Sequence, residues 1–301
     1  MNARVHRRFT PETDVPSGMA RLGMKMACTF LALLGLTVTG MAPVAAAPSS
    51  GTADPVGNDV SWPQCSKTLP SSTAFAIVGV NGGLANNTNP CLDAQLKWAA
   101  DATRTSAVTA QPKVALYVNT ANPGHAGSWW PSSNINDDGK VVSNPYGNCA
   151  DEVPGTVSLA CSYMYGYVRA FQDAAVRGIP KTVSYFWWLD VETGNSWQTG
   201  ANGPALNRAD LEGMVAYFRS IPSSGVGIYS TGYQWGTIAG TVPPGTPLYG
   251  LPSWLAGART LQGAKSNCSL PGLTPTSIVK VTQYVSAGLD YDYSCPYPQV
   301  K

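Results

Sequence analysis

The sequence predicts an α/β domain, an irregular TIM-like (β/α) barrel. Three observations lead there. Short apolar runs rich in β-branched and aromatic residues recur along the chain. Segments of helical periodicity lie between several of them. The stretch carrying both is about 250 residues long, the usual size of one such barrel. Near-continuous apolar runs suit strands buried on both faces, and strand–helix–strand order connects a parallel sheet.

The strand candidates are Ala74 to Val80, Lys113 to Val118, Val183 to Asp190, Val226 to Ser230 and Val279 to Tyr284. Asn58 to Ser61 and Ser253 to Ala256 are weaker runs of the same kind. Leu92, Leu96 and Ala99 mark one face of a first helix. Tyr163, Tyr167, Phe171 and Ala174 mark a second, which Gly178 and Pro180 end. A third is expected to be capped by Asn207, with Asp210 in its first turn, and to stop at Pro222. Leu211, Val215 and Phe218 would form its buried face. Residues 222–301 show no helical period, so loops are expected between the last strands. A Gly-, Pro- and Asn-rich insertion from Asn122 to Leu159 interrupts the third strand–helix connection. Loops of that length are usually functional or tied down.

Residues 1–47 have the order of an export signal. Arg4, Arg7, Arg8, Arg21 and Lys25 precede the apolar run Ala27 to Val38, and Ala45 to Ala47 offer small residues for cleavage. The run is shorter than the about 20 residues a membrane span needs. Met19 and Met24 are alternative starts, and Pro48 leaves the cut open. Residues 48–56 form a short lead-in, and 57–301 form the barrel domain. Once the leader is removed, no membrane span is expected and the protein is extracellular.

The leader holds five of the 19 Lys and Arg residues and two of the 17 acids. The remaining 14 basic and 15 acidic groups give a net charge near −1. No basic run remains to bind phosphates, which argues against a nucleic-acid partner. Six cysteines follow the leader, enough for three disulfides in an exported chain. Fifteen pairings are formally possible. Pairing of sequence neighbours is expected: Cys65–Cys91, Cys149–Cys161 and Cys268–Cys295. The second of these, Cys149–Cys161, would tie the insertion down. Zinc is not expected, because there is no CxxC pair and His125 is the single histidine after the leader.

His125 lies in the turn-like Asn122-Pro123-Gly124-His125, with no nucleophile motif nearby. Gly79-Val80-Asn81-Gly82-Gly83 lacks the full dinucleotide fingerprint. Carboxylates remain. Asp190-Val191-Glu192 ends the apolar strand Tyr185-Phe186-Trp187-Trp188-Leu189. Residues i and i+2 of a strand point to one side, so both acids would face one space at the C-terminal rim, where barrels place their chemistry. Like charges in a partly dry site raise the pKa of one member. One acid then donates a proton while the other stays ionised, the division of labour that glycoside cleavage needs. A solvated strand end or an ion pair is the plainer reading of the same residues. Asp59 follows Gly57-Asn58 on the first strand, and Asp290 and Asp292 lie just after the last. First and last strands are neighbours in a closed barrel, so these acids can reach the same mouth. Of nine tryptophans, Trp98 and Trp187 read as core. Trp62, Trp129, Trp130, Trp197, Trp235 and Trp254 fall in loops or at strand ends, where rings can stack on sugars.

These pieces, in this order, resemble glycoside hydrolase family 25, the Chalaropsis-type lysozymes, and their actinobacterial glycoside hydrolase-like relatives. The resemblance is carried by Asp59-Val60-Ser61 with Gln64, Ala74 to Val80, Leu189-Asp190-Val191-Glu192, Ile228-Tyr229-Ser230, Pro252 to Ala256, and Gln283-Tyr284 with Leu289-Asp290. It implies a flattened barrel of five β/α units followed by three strands, and cleavage of peptidoglycan between N-acetylmuramic acid and N-acetylglucosamine. It implies Glu192 as proton donor and Asp190 as the group facing positive charge, with Asp59 and Asp290 completing an acidic floor. Tyr117, Tyr229, Trp254, Gln283 and Trp62 would contact substrate. The family has Lys and Glu near the end of its second strand, where this chain has Val80-Asn81-Gly82-Gly83. It has a Tyr-His pair where this chain has Tyr117-Val118-Asn119. The implied protein is a monomer that acts on a polysaccharide without a cofactor or metal. The alternative is a non-catalytic glycan-binding or structural cell-surface domain on the same barrel.

Overall fold

The computed structural model describes residues 54–103, 109–150 and 156–296. The expected export signal lies outside them. Eight strands close into a barrel in chain order. They are β1 (Val56–Val60), β2 (Ala76–Gly79), β3 (Val114–Asn119), β4 (Tyr185–Asp190), β5 (Ser223–Ser230), β6 (Ser253–Ala258), β7 (Val279–Ser286) and β8 (Leu289–Ser294). Neighbours from β1 to β7 pair in parallel. β8 is antiparallel to both β7 and β1. The reason is the connection. Ala287 and Gly288 alone join β7 to β8, both with positive φ (51° and 73°). Two residues of that conformation make a hairpin turn, which can only return the chain antiparallel. Asp290 and Asp292, placed just after the last apolar run in the sequence, therefore lie on a barrel strand of their own.

Five α-helices follow β2 to β6 among the described residues: α1 (Leu92–Ala100), α2 (Leu159–Ala175), α3 (Gly203–Ser220), α4 (Gly232–Ile238) and α5 (Leu261–Asn267). The last two correct the expectation of bare loops after residue 222. At seven residues each they are too short to show a period, and their visible signals are the caps. Thr231 and Thr260 accept hydrogen bonds from the backbone N–H groups of Gln234 and Gly263. The start of α3 also differs. The helix begins at Gly203 with Pro204 in its first turn, a position where the missing N–H is harmless. Asn207 lies inside the helix and is buried. It donates to the carbonyls of Gln198 and Ile238, tying α3 to the preceding loop and to α4.

Side chains alternate across the barrel wall. On β4, Trp187 and Leu189 face the helices in the main apolar core. Phe186 and Trp188 face inward, where they pack with Phe75, Ile77, Ala115, Trp254 and Val281. Trp254 is 1% exposed and Trp235 4% exposed, so neither is the exposed stacking ring expected from sequence. Trp187 is core as expected. Trp98 is partly buried against that core. Glycines make room for the inner rings. A Cβ at Gly79 would collide with Tyr117, and one at Gly227 with Trp188. The three disulfides join Cys65 to Cys91, Cys149 to Cys161, and Cys268 to Cys295. Cys149–Cys161 anchors the insertion to the first turn of α2. Trp129, Trp130 and Tyr146 of the insertion pack on a small apolar cluster there.

Helices α2 and α3 approach at backbone contact. A Cβ at Gly166 would overlap the Asp210 carbonyl, and one at Gly213 would overlap the Tyr163 carbonyl. Neither carbonyl belongs to a flexible side chain that could yield. Gly166→Ala should therefore lower unfolding free energy by about 1–3 kcal/mol, the usual cost of overpacking. Urea denaturation measures it. An unchanged midpoint would mean that the helices are free to separate.

Candidate active site

At the C-terminal rim of the parallel strands lies a hollow of about 330 Å³. Asp59, Asp190, Glu192 and Asp290 all line it, with Tyr117, Tyr229, Trp254 and Gln283. Ser61, Pro63, Gln64 and Val285 complete the wall. Eight of the nine residues singled out for catalysis or substrate contact thus meet at one place. Trp62 does not line the hollow. It stands beside it, 49% exposed, on the short 3-10 turn Trp62–Gln64.

Strand register brings the acids together. Asp59 on β1 is directly opposite Asp290 on β8. Asp190 ends β4 beside Asn119 of β3 and Tyr229 of β5. Glu192 follows two residues later, half-buried at the mouth. Asp292, opposite Gln283, lies one inward position deeper and has no solvent exposure.

Burial dominates the electrostatics. Removal from water, then the charge of Asp290, pushes the Asp59 carboxyl from its ordinary 3.8 up to about 7. A 2.8 Å hydrogen bond donated by Gln283 Nε2 opposes this without reversing it. Asp190 is driven well above the carboxylate range by burial, then by the charges of Glu192 and Asp59. Asn119 Nδ2 donates to its Oδ2 at 3.2 Å, while its Oδ1 has no partner. Asp292 is raised by burial, then by the charge of Asp59. Burial also raises Asp290, opposed by the charge of Lys67. Gln64 Nε2 donates to Asp290 Oδ2 at 3.3 Å. Burial therefore favours the protonated form of each acid on the floor beneath the mouth.

Aromatic and amide groups fix the remaining wall. The Tyr229 hydroxyl donates to Gln283 Oε1 at 2.9 Å, so Tyr229, Gln283 and Asp59 form one chain. Tyr229 also packs on Trp254 at 4.4 Å between ring centroids. Burial and the nearby acids keep both Tyr117 and Tyr229 as neutral phenols. Trp254 forms the floor of the hollow rather than a stacking platform at its rim.

Gln234 is a site residue that sequence reasoning missed. Its Oε1 accepts from the Thr193 N–H at 2.7 Å and from the Thr193 hydroxyl at 3.0 Å. Its Nε2 reaches Glu192 Oε1 at 3.5 Å. It thus holds the β4 loop and orients the Glu192 carboxylate. The available signal was the Thr231-x-x-Gln234 spacing, a helix-start pattern immediately after β5. The Trp197 indole donates to the Glu192 carbonyl at 2.8 Å, bracing the same loop.

No family model matches the chain. No curated protein matches it either. Among solved structures, a muramidase from Acremonium alcalophilum is 14% identical, with TM-score 0.47, over 81% of this chain and 94% of that one. A bacterial lysozyme from Streptomyces coelicolor is 15% identical, with TM-score 0.44, over 82% and 94%. A family GH25 lysozyme from Aspergillus fumigatus is 14% identical, with TM-score 0.44, over 81% and 96%. At such identities and scores the likeness assigns neither family nor function.

A raised acid pKa carries a sign for stability. Below about pH 4, Asp59 is protonated in both the folded and the unfolded chain. Between 3.8 and about 7 the unfolded chain ionises first, so stability falls as pH rises through that window. Asp59→Asn removes this contribution. Urea titrations from pH 4 to 7 should show a shallower decline for the variant than for the parent. Parallel profiles would mean that Asp59 ionises normally in the fold.

Proposed function

We propose that the protein is an exported glycoside hydrolase that cleaves cell-wall polysaccharide, most simply peptidoglycan, by carboxylate acid catalysis. One observation carries the reading: four acids from three separated parts of the chain line a single hollow at the barrel rim. Three disulfides fit an oxidising, extracellular setting. No helix of the described residues is long and apolar enough to cross a membrane.

In the proposed mechanism Glu192, at the mouth, gives its proton to the glycosidic oxygen as the bond to the anomeric carbon breaks. Positive charge then develops on the sugar. In the empty site burial holds Asp190 neutral. A neighbouring cation favours its carboxylate, so Asp190 ionises only as that charge appears. Its proton passes to Glu192, its neighbour in the pair, and the pair has lost one proton in all. Water adding to the anomeric carbon returns that proton. The interaction between Asp190 and the sugar exists in the transition state and not before it, the condition for raising turnover. Asp59 and Asp290 line the same hollow, positioned by Gln283 and Gln64.

Glu192→Gln tests this. Dye release from purified cell wall should fall at least about 100-fold, the weight of a general acid. Binding to the same wall should persist. Equal release by parent and variant would remove Glu192 from the mechanism. Binding with no release by either would favour a glycan-binding domain.

A further inference from the structure

A second hollow of about 500 Å³ opens on the same rim. Its walls are the loops after β2, β3 and β4, together with Tyr165 of α2. Two seams join it to the acidic hollow. The β4 loop carries Glu192 in one and Trp197 in the other, held by the hydrogen bond from the Trp197 indole to the Glu192 carbonyl. Trp62 follows Ser61 of the first hollow, and its indole lies against Gly83 of the second.

The chemistry of the two differs sharply. Four carboxylates line the first, whereas no charged side chain lines the second. Its surface combines glycine, alanine and proline with the amides of Asn86 and Asn195, the Ser128 hydroxyl and the rings of Tyr165 and Trp197. An ionic ligand would find no counter-charge there. Neutral rings bearing hydroxyl and acetamido groups would find flat apolar faces and uncharged partners. The hollow is also built before any ligand arrives. Asn86 Nδ2 bonds Ser128 Oγ at 3.2 Å across its mouth. The Asn122 N–H bonds the Ser196 carbonyl at 2.8 Å, and Gln198 Nε2 bonds the Asn122 carbonyl at 2.9 Å. The Tyr165 ring is stacked on Trp130 at 5.2 Å, with the Arg169 guanidinium 4.9 Å from it. Such preorganisation reduces the entropy lost on binding.

We propose that this hollow is a second saccharide subsite, holding an uncharged, N-acetylated stretch of the polymer whose neighbouring units lie over the acids. It rests on the reading of the acidic hollow as a glycan cleft. Part of its wall comes from the insertion after β3, so this segment extends the cleft and sets a preference for longer chains.

Calorimetry on the Glu192→Gln protein tests it, with N-acetylchitooligosaccharides of two and six units as probes. The six-unit probe should bind at least about tenfold more tightly, equivalent to about 1.4 kcal/mol. Ala126→Trp fills the hollow from an exposed wall position, and Ser128→Tyr does so independently. Each should abolish the gain with length while leaving two-unit binding unchanged. Equal affinities for the two probes, a gain that survives both fillings, or no binding of either probe would overturn the proposal. Wall hydrolysis by the Glu192 parent separates the two readings. Turnover without length-dependent binding contradicts the subsite alone. Length-dependent binding that filling abolishes, without turnover, supports the subsite and contradicts hydrolysis.

Discussion

The site depends on the cost of placing carboxyl groups inside a closed barrel already filled with rings. Phe75, Ile77, Phe186, Trp188 and Trp254 occupy the interior and exclude water from beneath the rim. Strand alternation then commits Asp59, Asp190, Asp290 and Asp292 to the inward side. An isolated buried carboxylate is expensive, and it either finds a cation or keeps its proton. Among the described residues, no salt bridge to Lys or Arg reaches these four acids. Asp173 shows the alternative. Also fully buried, it is paired with Arg177 at 2.6 Å and rises only to about 6. The floor of the rim hollow solves the same problem with protons, and stored protons are what an acid catalyst uses.

Two asparagines, Asn81 and Asn119, connect the buried acids of the rim and of α2. Asn81 accepts from the Asn119 N–H at 2.8 Å and donates to Asp173 Oδ1 at 2.9 Å. Asn119 in turn donates to Asp190. A chain of neutral amides thus links the buried ion pair of α2 to the acid at the end of β4. It positions Asp190 without adding a charge that would fix its protonation state.

Much of this was legible in the sequence because it rests on short-range pattern. Apolar runs mark the strands, and the i, i+2 spacing of Asp190 and Glu192 aims both at one space. Cysteines close in sequence pair with one another. Long-range features left weaker traces. The eighth strand, reached through the two-residue hairpin at Ala287-Gly288, shows no apolar run, because its polar residues Asp290 and Asp292 face the interior; it was expected only from the family resemblance. The burial of Trp254 follows from barrel closure, which places its strand end beneath Tyr229. How strongly burial favours the proton on Asp190 was not readable from the motif, because depth is a property of the closed barrel.

The central claim is that burial makes the acids under the rim keep their protons to higher pH than ordinary carboxyl groups. Carbon-13 NMR of side-chain carboxyl groups, in protein labelled at aspartate and followed from pH 3 to 9, reads this directly. The Asp59 carbon should titrate near pH 7, and the Asp190 carbon well above the ordinary carboxylate value of 3.8. If all aspartate carbons finish titrating below pH 5, the barrel does not hold protons and the account is contradicted.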